Sequence, residues 1–116
     1  MKKIFILICF LSIGLVKAQE EKPIYKKVGG LVQVTFYYID GTIKEQGFFK
    51  NNKLTGTWER YDISGNKITI AHYLEGKKVG KWFFWNKNSL TEVNYGKDHI
   101  ITSVHVWKED TKLAVN

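Results

Sequence analysis

The chain has 116 residues, a formal charge of +7, seven Phe, six Tyr, four Trp, one Cys and one Pro. That length holds one small domain. The composition is too apolar for a disordered chain, too polar for a multi-span membrane protein and too poor in cysteine for a disulfide scaffold.

The first element in chain order is a targeting segment. Lys2 and Lys3 form a basic start, an apolar run extends from Ile4 to Val16, and Ala18 is a small residue before Gln19. This is the pattern of a secretory signal peptide over residues 1–18, cut after Ala18. The apolar run is about 13 residues, shorter than the ~20 of a bilayer span. Cys9 lies inside the run, not at its end after a small residue, so the lipoprotein pattern is absent. Cleavage removes Lys2, Lys3 and Lys17, lowering the charge from +7 to +4, and leaves 98 of the 116 residues. It also removes Cys9, and with it disulfides, thiolate chemistry and cysteine metal sites. The expected location is secreted or periplasmic, with membrane contact only through the signal peptide before the cut.

Residues 19–30 are expected to be a flexible lead-in, 31–108 a repeat domain and 109–116 a tail. Strands rich in β-branched and aromatic residues are predicted at 31–39, 42–50, 56–61, 67–74, 81–85, 90–95 and 100–108. Asp40-Gly41 carries a strong signal for a two-residue hairpin turn, and Ser64-Gly65-Asn66 stands at the equivalent place. Asn51-Asn52, Glu75-Gly76, Asn86–Ser89 and Gly96-Lys97-Asp98 mark further turns. The fold class is therefore all-β, an antiparallel meander of hairpins.

The hairpins repeat. Gly56-Thr57-Trp58 returns 24 positions later as Gly80-Lys81-Trp82, and Gly41 with Gly65, Phe49 with Tyr73, and Tyr61 with Trp85 share that offset. Val34 occupies the Trp position of a first copy. A third copy loses two residues, after which Tyr95 aligns with Tyr73 and Gly96-Lys97 with Gly76-Lys77. The recurring aromatics Trp58, Tyr61, Tyr73, Trp82 and Tyr95 are assigned to the core, because a cysteine-free β-domain needs large buried side chains. The recurring glycines Gly41, Gly56, Gly65, Gly76, Gly80 and Gly96 are assigned to turns and repeat boundaries.

No constellation for chemistry stands out. His72, His99 and His105 have no metal-ligand spacing, and Ser103 beside His105 is a strand pair, not a triad. No cofactor is implied. The functional signal is aromatic: Trp82-Phe83-Phe84-Trp85 puts rings on both faces of a strand, and Phe83, Trp85 and Trp107 are the candidate binding surface. The interleaved lysines (Lys50, Lys53, Lys77, Lys78, Lys81, Lys87, Lys97) would suit single-stranded nucleic acid. Export argues against that partner, and lysines at turns and edges also block strand aggregation.

Gly56-Thr57-Trp58-Glu59-Arg60-Tyr61, Gly65-Asn66, His72-Tyr73 and Gly76-Lys77-Lys78-Val79-Gly80-Lys81-Trp82 together resemble the bacterial variant of the MORN repeat. The resemblance spans residues 34–97. It departs at Val34, where Trp would stand, at Asn52, where Gly would stand, and in the shortened third copy. It implies an elongated curved sheet and no common enzymatic activity. Some similar proteins carry an antitoxin label, a cytoplasmic role at odds with export. The expectation is an exported, non-catalytic binding or structural module at the cell envelope, with a protein or an envelope glycan as partner. The alternatives are an antitoxin-like partner of a toxin and a small enzyme without a recognisable motif.

Overall fold

The computed structural model describes residues 20–109. The expected signal peptide with its cut site, Gln19, and residues 110–116 of the expected tail lie outside them. The chain runs β1 (Glu20–Val28), β2 (Leu31–Tyr38), β3 (Ile43–Lys50), β4 (Lys53–Tyr61), β5 (Lys67–Leu74), β6 (Lys77–Lys78), β7 (Gly80–Asn86), β8 (Ser89–Tyr95) and β9 (Ile101–Lys108). The sheet order is β1-β2-β3-β4-β5-β7-β8-β9, with the short β6 also on β5. Leaving the two-residue β6 aside, consecutive strands pair antiparallel, so the molecule is an open curved meander with β1 and β9 at its edges.

Within the segment 19–30, expected as a flexible lead-in, Glu20–Val28 forms β1 instead. Ile24, Tyr25 and Val28 favour extended backbone. Pro23 is tolerated because an edge strand has one side on which no N–H is needed. A bulge falls between Glu21 and Ile24.

Two kinds of turn occur. Between repeats, Asn51-Asn52 (φ 52° and 66°) and Glu75-Gly76 (φ 51° and 81°) make two-residue connections, the conformation of hairpin turns whose twist matches the strands. Within the first two repeats the turn is longer. The Gly41 N–H donates to the Tyr38 carbonyl at 2.9 Å and the Tyr38 N–H to that of Thr42 at 2.8 Å. Asp62–Asn66 repeats this pattern at 2.9 and 2.8 Å. Asp40-Gly41 is thus not a two-residue turn. Ile39 joins the loop, and only Gly41 (φ 91°) takes positive φ there. The Asp40 carboxylate instead accepts from Thr42 N–H and Oγ1, at 3.0 and 2.7 Å.

The core lies within one face of the sheet. Val34, Trp58, Ala71 and Trp82 are buried there, with Phe36, Phe49, Leu54, Tyr73, Val93 and Tyr95 packed around them. Pairing sets this face directly: Val34 opposes Gly47, Trp58 opposes Ala71, and Trp82 opposes Val93. The indoles lie along the sheet. Trp58 covers Gly47 so closely that a side chain there would occupy the same space as its ring.

The 24-residue period is a period of contacts. Trp58 Nε1 donates to the Phe48 carbonyl and Trp82 Nε1 to the His72 carbonyl, both at 3.1 Å. Phe49 meets Trp58 edge-on at 5.4 Å, and Tyr73 meets Trp82 edge-on at 5.2 Å. Gly56 and Gly80 both have φ 70°. A side chain would be strained at that angle, and each glycine sits two residues before its tryptophan. Tyr95 packs against Trp82 at 5.5 Å, as Tyr73 does against Trp58 at 6.2 Å. Gly96 lies in a turn, as assigned, but not in the part that Gly76 plays in its copy. It opens a turn in which the Gly96 N–H bonds the Ile100 carbonyl, and His99 (φ 68°) stands where Gly41 and Gly65 stand in the other copies.

Candidate functional site: the aromatic face of β7–β9

Alternation along β7 sends Trp82 and Phe84 to the core face and Phe83 and Trp85 to the opposite face. The two-residue turn at Lys87-Asn88 fixes what lies beside them. Trp85 opposes Leu90, and Leu90 opposes Trp107 on β9. One row across three strands is therefore Trp85–Leu90–Trp107. The row beside it is Ile70–Phe83–Glu92–His105. The structure thus brings the three expected residues together. Phe83 and Trp85 rings stand 6.1 Å apart, and His105 and Trp107 rings 4.1 Å apart. Trp85 and Trp107 keep 38% and 45% of their surface exposed, whereas Trp58 and Trp82 keep 6% each.

Leu90 is the member that the sequence reading missed. Its period-two placement in β8 was visible, but its position between two indoles follows from register.

The row is flanked by two shallow grooves that have polar groups in their linings. One, of about 330 Å³, lies between Trp85 and Trp107 and is lined by Asn88, Ser89, Lys108 and Glu109. The other, of about 450 Å³, lies on the far side of Trp85 against Asp62, Asn66, Lys67 and Ile68. Asn86 and Lys87 line the second groove and the first alike. A surface of this kind offers flat apolar area with hydrogen-bonding groups at its margin, as recognition surfaces do.

Next to Phe83 runs a polar chain. Glu92 accepts from the Asn94 amide at 2.8 Å and lies 3.5 Å from Lys81 Nζ. The Asn94 hydrogen bond first, and Lys81 second, hold its carboxyl below the usual glutamate range. Asn94 also donates to Ser103 Oγ at 3.0 Å, so the Ser103 hydroxyl is engaged with an amide.

Tyr61 does not belong to the core to which it was assigned. It lies in a separate cluster, where its hydroxyl donates to Glu59 at 3.2 Å and its carbonyl accepts from the Tyr38 hydroxyl at 2.7 Å. Lys67 bridges to Glu59 at 2.9 Å, and that hydrogen bond raises the lysine pKa.

The histidines are dispersed. His72 Nδ1 is 3.2 Å from Thr57 Oγ1, and His99 Nδ1 is 3.0 Å from the Lys78 carbonyl. Among the described residues no group of three His, Cys, Asp or Glu could hold a metal ion. Lys78, one of the interleaved lysines, places Nζ 5.1 Å from the Trp82 ring and 5.6 Å from the Tyr95 ring. It shields the core edge by cation–π contact. No family model matches the chain, and no curated protein matches it.

Proposed function

We propose that the protein is an exported, non-catalytic binding or structural module of the cell envelope, built of MORN-variant repeats, and that it engages its partner through Phe83, Trp85 and Trp107. The observation that carries this reading is the row Trp85–Leu90–Trp107, on the face that the core does not use. Two indoles left in water hold hydrophobic surface that folding did not consume, and such patches mark interaction sites. The partner classes that suit stacked rings with a polar rim are a protein or an envelope glycan. The repeat reading is supported by contacts recurring at 24 residues (Trp58 with Phe48, Trp82 with His72).

The test is a crosslinking pull-down from the native envelope with wild-type protein and with Trp85→Ala. Loss of the recovered partner in the variant is the expected result. Equal recovery by both would remove Trp85 from the binding surface. Export is checked by mass spectrometry of the purified protein. The expected chain starts at Gln19, and one starting at Met1 would overturn the assigned compartment.

A further inference from the structure

The two edges of the sheet are unequal. β1 carries the devices that keep another strand away: Pro23, a bulge between Glu21 and Ile24, and the exposed lysines Lys22, Lys26 and Lys27. β9 carries almost none. Its pairing with β8 runs unbroken from Ser103 to Lys108, its one irregularity lies at Thr102, and its one charge is the terminal Lys108. Val104, Val106 and Trp107 are 54%, 48% and 45% exposed.

The phase of its free hydrogen-bonding groups can be read. The Glu109 N–H donates to the Asn88 carbonyl at 2.7 Å. In an antiparallel ladder, bonded pairs alternate with unbonded ones. Trp107, His105 and Ser103 therefore turn their N–H and C=O toward β8. Val104, Val106 and Lys108 turn theirs outward, and among the described residues no strand meets them.

We propose that β9 pairs antiparallel with β9 of a second copy, closing a twofold dimer whose sheet runs continuously through both chains. An outward-facing residue must oppose an outward-facing residue, so the numbers of opposed residues sum to an even value. Two such registers overlap over seven residues of β9, and the one that uses all three outward residues sets Val104 against Val106 of the other copy and Lys108 against Thr102, with His105 on the twofold axis. No two lysines meet in that register. Pairing β9 with β1 of another copy would propagate without closing, and Pro23 with the β1 bulge opposes it. Because the twofold axis stands perpendicular to the sheet, the Trp85–Leu90–Trp107 rows of both copies come to the same side. A single-layer edge is a small interface, so the association belongs in the micromolar range.

The experiment is analytical ultracentrifugation of the purified protein from about 1 to 300 μM, with Val106→Pro and Val104→Lys as variants. Proline at 106 removes an outward N–H and leaves the β8 ladder intact. Far-UV circular dichroism checks that each variant is folded, and Val104→Lys serves if the proline variant is not. The expected result is a monomer–dimer equilibrium whose Kd rises at least tenfold in the folded variants. Three outcomes would overturn the proposal. The wild type stays monomeric at 300 μM. The dimer persists unchanged in both variants, which puts the interface elsewhere. Or the full chain is monomeric and a chain ending at Glu109 dimerises, which makes residues 110–116 the occupant of the edge.

Discussion

The indole of Trp58 lies against the backbone of Gly47, two strands' worth of sheet held together by an aromatic ring where a methyl group has no room. Gly47→Ala therefore forces the ring or the backbone to move. Overpacking of this kind costs about 1–3 kcal/mol, and urea denaturation should place the loss at the upper end. In a Trp58→Leu background the same substitution should cost less, because the colliding ring is gone. Equal cost in both backgrounds would mean that Gly47 acts through its backbone alone.

Trp58→Phe and Trp82→Phe should each destabilise by about 2–4 kcal/mol. Each loses ring volume and leaves a carbonyl, Phe48 or His72, without its indole donor. Both tryptophans contact Tyr73. The double variant should therefore depart from additivity by about 0.5 kcal/mol or more, measured in a double-mutant cycle by chemical denaturation.

Glu75→Asn should stabilise the protein by roughly 0.5 kcal/mol. Glu75 sits at φ 51° before Gly76, a conformation that costs most L residues about 1–2 kcal/mol and that asparagine adopts more readily. A higher thermal midpoint in calorimetry is the expected outcome. A lower one would show that the Glu75 side chain contributes something its turn geometry does not reveal.

Stability should decline in acid. Asp62 accepts from the Asn66 and Ser64 N–H groups at 2.9 and 3.0 Å, and the Asn66 bond leads in holding its carboxyl below the usual range. Thr42 does the same for Asp40, and Asn94 with Lys81 for Glu92. A carboxyl whose pKa is lower in the folded state stabilises the fold above its unfolded pKa. That contribution is lost as pH falls through the folded value. The thermal midpoint should be flat above about pH 5 and fall below about pH 4. Asp62→Asn should flatten part of that descent when melts are compared from pH 7 to pH 3.

The period of 24 was legible because Trp58 and Trp82 stand out by residue type, and similar neighbours at the same spacing fold into similar contacts. Turn length was less legible. Asp40-Gly41 names a positive φ correctly at Gly41, but a dipeptide does not reveal that Ile39 leaves the strand and lengthens the loop. β1 was hidden for a related reason. Pro23 and the lysines of 22–27 look like a linker by composition, and they are also what an edge strand uses to stay unpaired. Tyr61 was misassigned because recurrence reports periodic use and not which face is used. The register shift between Arg60 and Tyr61 lies outside any sequence pattern. The neighbourhood of Trp85 and Trp107 needed the register of three strands, so their residue types could be singled out while their meeting through Leu90 could not.

The meander has one more consequence, for the way the molecule comes apart. Apart from the two-residue β6, each strand pairs only with the strands next to it along the chain, so no long loop must close before a contact forms, and stability adds up along one dimension. Trp58 on β4 packs on β3 and β5, and Trp82 on β7 packs on β5 and β8, while among the described residues β1 and β9 each have a single strand partner. Native-state hydrogen exchange should then be graded, slowest around Trp58 and faster toward either edge, with the ends fraying while the middle stays zipped.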